Sequence, residues 1–451
     1  MIGADFAPSS LPPALRLRFF AQHLPEFGWQ PIVLTTDPSH YDWKIDPENE
    51  RLLPESLEVI RTPALSGKLA RKVGVGDIGM RSMLAHWRAL KKLCREGRVD
   101  LLFIPVPPFV PMVLGRLAHL RFGIPYVIDY IDPWVTDYYW SLPRKERPRK
   151  WALAYTLARL LEPFSLKRVS HITGVSKGTT DGVTGRYSWL SEEDATAIPY
   201  GGEPDDFDYL RKNPRGNKIF NPRDGLFHIS YVGAYPKGME ATMRALFKAV
   251  RTGLEREPEL FSRLRLHFVG TTYGAGLENL YQLKPLAEEL GIGPYVDEHP
   301  GRVSYLEALQ LQLDSSALAI LGSDAPHYTA SKIFPYILSQ RPLITVFHEE
   351  SSVVEILRET NAGEVVTFNA ERGPETKTGE ILVQLERLLR LPPSYHPPTR
   401  WDAFEQYTTR AMTARLARAF DRSLASAERQ RGARQPTSPD SGLEGYEAPN
   451  R

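Results

Sequence analysis

His327-Tyr-Thr-Ala-Ser331-Lys332-Ile-Phe-Pro335-Tyr336-Ile-Leu-Ser-Gln-Arg341-Pro342-Leu-Ile-Thr-Val-Phe347 reads as a loop, a helix start, a turn and a buried strand, in that order. A helix opening after Thr329 or Ser331 would present unpaired backbone N–H groups and the positive end of its dipole, with Lys332 in the first turn beside them. A diphosphate fits such a place. Arg341-Pro342 stops the helical pattern, and Leu343 to Phe347 is a short apolar run of strand type, which sets the helix start near a sheet edge. The same run also reads as an ordinary connecting helix with an exposed lysine.

The βα rhythm of this run extends in both directions. In the first 205 residues, short β-rich runs at Pro31–Thr36, Leu57–Thr62, Asp100–Val106, Pro125–Tyr130, His171–Val175 and Ala197–Tyr200 alternate with helical spacing at Leu15–Leu24, Met83–Leu93 and Met112–Arg121. The rhythm restarts with Phe227–Val232, Leu266–Val269, Ala317–Leu321, Leu343–Phe347 and Glu364–Phe368, separated by helical stretches such as Met239–Thr252 and Tyr305–Asp314. The expectation is α/β, with two Rossmann-like doubly wound domains over 1–205 and 206–400. The turn-rich segment Pro199–Phe207 forms the boundary. An amphipathic helix over 401–425 packs back on the body, and 426–451, with little to bury, is expected to be disordered. Only Met1–Ala4 precedes the Asp5 loop, so the first strand is stunted, which raises the expectation of a misassigned start codon.

Composition narrows the class. The 451 residues are 42% hydrophobic and 24% charged with a formal charge of +2, the profile of a globular enzyme rather than a disordered or nucleic-acid-coating protein. The single cysteine, Cys94, excludes an intramolecular disulfide framework and a cysteine zinc cage and suits a reducing, cytoplasmic setting. The apolar runs fall short of the roughly 18 to 20 residues that span a bilayer, so membrane contact is expected to be peripheral at most. The eleven histidines are scattered without His-x-x-x-His or His-Glu-x-x-His spacing, and neither a Gly-x-Ser-x-Gly elbow nor a P-loop occurs. No metal site is expected.

Ligands of open α/β sheets collect beyond the carboxyl ends of strands, so the loops there hold the candidates. Asp5–Arg16 offers Ser9, Ser10 and Arg16 to an acceptor or a phosphate, and reads equally as a proline-stiffened turn. In Asp129-Tyr-Ile-Asp132-Pro-Trp134, Asp132 is placed to bind sugar hydroxyls or act as a base, and Trp134 offers a flat face to a sugar ring. Asp-Pro is also a common turn starter. In Tyr231-Val-Gly233-Ala-Tyr-Pro-Lys237-Gly238, Gly233 allows close backbone approach and Lys237 adds positive charge. Together with Ser331 and Lys332, two lysines from separate strand ends would converge on one pyrophosphate. Gly270–Tyr273 and Pro300–Ser304 are the candidate base contacts. The segment Tyr138–Trp151 interleaves aromatics with Arg144, Lys145, Arg147, Arg149 and Lys150, a pattern suited either to anionic headgroups or to a solvated loop.

These landmarks, in this order, resemble bacterial glycosyltransferases of the GT-B fold, close to glycosyltransferase family 4, over roughly residues 1 to 425. The matching pieces are Asp5-Phe-Ala-Pro, Gly28 to Thr35, Ile131-Asp132-Pro-Trp134, Gly174 to Gly178, Ile198 to Gly202, Val232-Gly233 with Lys237-Gly238, and Ser331-Lys332 to Arg341-Pro342. The resemblance implies a cleft between two domains, with the C-terminal half holding a nucleotide-diphosphate sugar and the N-terminal half the acceptor, and a C-terminal helix crossing back. It implies metal-independent transfer of a hexosyl group to a hydroxyl in exopolysaccharide, lipopolysaccharide or glycolipid synthesis. The donor is a substrate, and no further cofactor is implied. Where many members carry two glutamates eight positions apart, this chain has His327 and Pro335. Proline cannot accept a side-chain hydrogen bond, so ribose binding must differ or be weaker, the retaining outcome typical of the family stays open, and so does a non-catalytic scaffold or a sugar-nucleotide epimerase or hydrolase. On this reading Asp132 and His327 are the catalytic candidates.

Overall fold

The computed structural model describes residues 1–432 except 73–75, 148–150, 237, 273–278, 327 and 329. Twelve parallel-paired strands run among the described residues. In the N-terminal half, β1 (Ile32–Thr36) pairs with β2 (Glu58–Thr62), and β3 (Leu102–Val106), β4 (Tyr126–Tyr130), β5 (His171–Gly174) and β6 (Ala195–Ala197) lie side by side. The stunted first strand sits between these two groups. Ile2 N–H donates to the Phe103 carbonyl, Gly3 N–H to that of Leu34, and Leu34 N–H to that of Met1, so residues 1–3 join β1 to β3. In the second half, β7 (Phe227–Val232), β8 (Leu264–Val269), β9 (Val296–His299), β10 (Ala317–Leu321), β11 (Leu343–His348) and β12 (Val366–Phe368) form one sheet in the order β12-β11-β10-β7-β8-β9. Strand order reverses between β7 and β10, and a doubly wound sheet opens its ligand crevice at that switch point.

The strands form where the sequence is apolar and β-branched, and both faces are covered by helices, so β3, β4, β10 and β11 are buried along their whole length. Two sequence expectations shift. The strand expected at Ala197–Tyr200 lies at Ala195–Ala197, and β9 was unforeseen because its residues, Val-Asp-Glu-His, are mostly polar. Glu298 of β9 is nevertheless buried. It accepts hydrogen bonds from the Thr271 hydroxyl and from the N–H groups of Gln282, Leu283 and Lys284, capping the helix Leu283–Glu289.

The C-terminal crossover is broken rather than continuous. Helix Trp401–Phe404 passes into a 3-10 turn, Glu405–Tyr407, and the chain breaks at Thr408, where Gly202 N–H donates to the Tyr407 carbonyl and Thr409 N–H to that of Gly202. A second helix, Thr409–Gly432, then starts and runs past Ser426, where disorder was expected. Its Met412, Leu416 and Phe420 recur at four-residue spacing and pack on Phe6, Leu17, Phe20 and Phe103 of the N-terminal half. Fully burying each such side chain is worth about 1.5–3 kcal/mol, which fastens the first part of the helix to the N-terminal half.

A polar clasp joins the same three elements. His23, at the end of helix Pro12–His23, meets the Glu203 carboxylate at 2.8 Å and Glu26 at 2.8 Å, and Glu203 also accepts from the Thr409 hydroxyl. Burial alone would lower the His23 pKa, but the two carboxylates hold it above its ordinary value. A raised folded-state pKa stabilises fully below the unfolded value of about 6.5 and is lost as pH rises through the folded one. The melting temperature of His23→Gln is therefore expected to fall below wild type in mildly acidic buffer and to converge with it in alkaline buffer. A gap independent of pH would show that the imidazole acts only by packing.

Candidate active site

At the switch point, β7 is followed by Gly233 at φ +133°, a backbone conformation that side chains resist, and a Cβ there would stand 3.1 Å from Lys332 Nζ. The glycine thus leaves room for the lysine. Lys332 immediately precedes the short helix Ile333–Leu338, whose Tyr336 hydroxyl accepts a hydrogen bond from Val232 N–H at 2.7 Å and fastens the helix under the end of β7.

The Lys332 amine is buried, although its stem remains partly exposed, and Nζ makes no hydrogen bond among the described residues. It lies 3.7 Å from the centroid of the Tyr231 ring, whose negative face compensates only part of the lost hydration. Desolvation lowers its pKa to about 7. An amine left so poorly solvated is prepared for an anion.

The helix contributes less than the sequence implied. Lys332 lies just before the helix rather than in its first turn, and the helix has six residues. Its first N–H groups are engaged, Ile333 by the Ala330 carbonyl at 3.0 Å and Phe334 by the Ser331 carbonyl at 3.4 Å. Positive charge here comes from the ammonium, not from free backbone donors.

Lys332, Gly233 and Ser331 open onto a cavity of about 390 Å³ between the two halves. The size suits a small-molecule ligand. From the N-terminal half, Ser10, Phe19 and Tyr200 line it, and from the C-terminal half Gly270, Thr272, Arg302, Tyr305 and Pro335. Arg302 donates to the Ser10 carbonyl at 3.1 Å across the cleft, and Thr272 donates from its hydroxyl to the Pro300 carbonyl at 2.9 Å, tying together the two segments proposed for a base. Tyr273, named in the same proposal, lies outside the described residues.

Of the remaining candidates, Lys237 and His327 also lie outside the described residues, so the expected meeting of two lysines has one described member. Asp132 follows β4 and is exposed. Its pKa is raised by partial desolvation, and its charge is felt at Tyr200, a residue that lines the cleft. Trp134 is half-buried and stacks on Phe109 at 5.2 Å with the rings 6° apart, so one of its faces is already covered.

Two assignments are corrected. Ser9 is buried, donates to Asp5 at 2.6 Å and accepts from Trp43 Nε1 at 3.1 Å, so it holds the loop together. Arg16 is buried in a two-pronged pair with Asp129 at 2.6 and 2.9 Å, and its other N–H groups go to the Ile198 and Pro199 carbonyls. Both are buried and bound within the fold, and neither lines the cleft. Ser10, by contrast, lines the cavity, and its hydroxyl accepts from Asn49 at 2.7 Å. The sequence missed Tyr200, Phe19 and Tyr305. The first ends an expected strand and was within reach of the strand-end rule, whereas the other two sit on helices and carried no signal.

Residues 13–201 match the pattern of the glycosyl transferase 4-like domain. The chain superimposes on HepE of Anabaena, solved in complex with UDP-glucose, with a TM-score of 0.55 at 13% identity, covering 93% of this chain and 98% of that one. It matches a glycosyltransferase of Rickettsia africae with a TM-score of 0.53 at 12% identity, covering 92% and 96%. An α,α-trehalose-phosphate synthase of Burkholderia xenovorans, in complex with glucose-6-phosphate, gives a TM-score of 0.55 at 11% identity, covering 94% and 99%. No curated protein sequence matches the chain. At these identities the structural likeness establishes the fold, which is GT-B: two Rossmann-like domains facing a cleft. The resemblance drawn from the motifs stands, with the glycosyl transferase 4-like pattern carried by residues 13–201.

Proposed function

We propose that this protein is a glycosyltransferase that moves a hexosyl group from a nucleotide-diphosphate sugar to a hydroxyl of a glycan or lipid-linked acceptor, in polysaccharide or glycolipid assembly at the cytoplasmic side of a membrane. The observation that carries the reading is the buried, unbonded amine of Lys332 at the switch point of the C-terminal sheet, opening into the cleft beside Gly233 and Ser331. HepE, of the same fold, was solved with UDP-glucose, which supports a nucleotide sugar as the ligand.

The chemistry follows from charge. As the glycosidic carbon–oxygen bond to the diphosphate breaks, negative charge grows on the leaving oxygen, and a desolvated ammonium stabilises it more strongly than it would in water. Lys332 takes that role, Lys237 shares it, and no metal is required. Ser331 hydrogen-bonds the diphosphate. Asp132, just after the end of β4 in the N-terminal half and with a raised pKa, orients the acceptor hydroxyl or takes its proton as the new bond forms, and His327 contacts the donor sugar or its phosphate. Trp134 packs against the acceptor with its uncovered face, and Ser10 borders the same space.

Calorimetric titration with UDP-, GDP- and ADP-sugars, followed by turnover of Asp132→Asn, tests this reading. One sugar nucleotide is expected to bind, and Asp132→Asn is expected to keep donor affinity while losing roughly 100-fold or more in kcat, the usual size of a general-base contribution. Absence of binding across the panel contradicts the reading. Binding without turnover favours a scaffold, a reading that Pro335 supports because it lines the cleft where a hydrogen-bonding side chain would be expected. Release of free sugar without acceptor favours a hydrolase.

A further inference from the structure

Helix Trp151–Leu166 crosses over between β4 and β5 and is apolar on two opposite sides. Its inner side is that of an ordinary crossover: Ala158, Ser165 and Leu166 are buried, and Glu162 is buried with hydrogen bonds from Tyr130, Arg186 and Tyr187. The outer side is the anomaly. Leu153, Leu160 and Phe164 recur at helical spacing, and are 68%, 66% and 40% exposed, with half-buried Leu157 between them. A water-facing helix normally carries polar residues there.

The stripe continues beyond the helix. Trp140, 52% exposed on the short helix Tyr138–Ser141, packs edge-on against Trp151 at 4.6 Å, and the Arg147 guanidinium lies over both rings. Charge around it is one-sided. Among the described residues, 140–168 contain six Lys or Arg against two Glu, one of which is the buried Glu162. Sixteen residues of helix extend about 24 Å, short of the roughly 30 Å apolar core of a bilayer, and no helix among the described residues is long and apolar enough to cross a membrane. A helix with this composition lies in the interface plane.

We propose that the outer face of helix Trp151–Leu166, with Trp140 as an interfacial anchor, docks the protein on an anionic lipid bilayer. This deepens the functional reading, on which it rests for a lipid-side acceptor. The aromatic and basic turn at 138–151 had been expected to make such contact. The structure instead sets part of that turn at one end of a longer apolar stripe that runs along the helix after it. A second copy of this chain fits less well, because a two-fold contact would bring two basic rims together without acidic partners. Anionic headgroups complement that rim, and leucine, phenylalanine and tryptophan enter the headgroup boundary. The helix begins on the strand-end side of the sheet, where Asp132 and Trp134 also lie, so docking would bring the acceptor lip close to the lipid surface.

Co-sedimentation of the full chain with phosphatidylcholine vesicles, with and without phosphatidylglycerol, tests the proposal. Binding is expected only to the anionic vesicles. The variant L153S/L160S/F164S and the variant R144Q/K145Q/R159Q/K167Q are each expected to lose at least tenfold in affinity with unchanged circular dichroism melting. Failure of the wild type to sediment, retention of binding by the serine variant, or a wild-type dimer that the serine variant dissolves would overturn it. Donor titration on the same preparations separates the two claims. Vesicle binding lost with donor binding intact defeats only the docking face, and donor binding absent with vesicle binding intact defeats only the transferase reading.

Discussion

Replacing Lys332 by methionine is expected to weaken nucleotide-sugar binding by roughly 10-fold to 100-fold, the worth of about 1.5–3 kcal/mol for a hydrogen bond to a charged group, while raising the melting temperature of the ligand-free protein. The two signs are opposite for one reason. The amine is buried without a hydrogen bond, so the fold carries a desolvation cost that only an anionic ligand relieves. An apolar side chain of similar length removes the cost together with the ligand. A lysine serving only to pack would lower both quantities or neither.

The wild-type pH dependence follows from the same amine. Burial brings its pKa to about 7, so above that value a growing fraction of the free protein must take up a proton before the diphosphate is gripped. Donor affinity is expected to fall by up to tenfold per pH unit above about 7, until the pKa of the bound state is reached. In the ligand-free protein the sign is reversed. The unfolded chain binds the proton more tightly between about 7 and 10.4, so this group's destabilising effect weakens as pH rises through that window. Both trends should vanish in Lys332→Met.

The second large effect concerns the frame. Asp129→Ala is expected to destabilise the protein by about 3–5 kcal/mol, because it strands a buried guanidinium. Arg16 and Asp129 are 2% and 0% exposed, and Asp129 also accepts from the Thr173 hydroxyl at 2.7 Å. The pair joins helix Pro12–His23 to β4 and, through the Ile198 and Pro199 carbonyls, to the start of the turn-rich segment Pro199–Phe207. Thermal or denaturant unfolding measures the loss. Donor affinity at temperatures where the variant remains folded should be near wild type, since the pair does not line the cleft. A loss of less than about 1 kcal/mol would show that the guanidinium finds water or another partner.

These two lysine and arginine positions illustrate what a sequence conveys and what it withholds. The parallel sheets were legible because β-branched runs such as Leu343–His348 alternate with helical spacing, and Gly233 was legible as a strand end open to close approach, whereas the strand order that makes it a switch point was not. Lys332 was legible as a cation between a loop and a strand. The burial of its amine was not, since that depends on Tyr231, about 100 residues earlier, lying beneath it. Arg16 was misread for the same reason: its partner is 113 residues away, and a buried arginine and a ligand-facing one look alike along the chain. Strand β9 was hidden because Glu298 faces inward to cap a neighbouring helix, breaking the apolar pattern that marks a strand. The outward leucines of Trp151–Leu166 were invisible because hydrophobic residues show that a surface is covered without showing by what.

The central claim is that the Lys332 amine grips the diphosphate of a nucleotide sugar in the cleft. A crystal structure of the protein soaked with whichever UDP-, GDP- or ADP-sugar binds in calorimetry tests it most directly. The account predicts a diphosphate oxygen about 2.7–2.9 Å from Lys332 Nζ, the distance of a charge-assisted hydrogen bond, with the phosphates passing over Gly233. A nucleotide bound elsewhere, or one in this cleft whose phosphates leave Nζ unbonded, would contradict it.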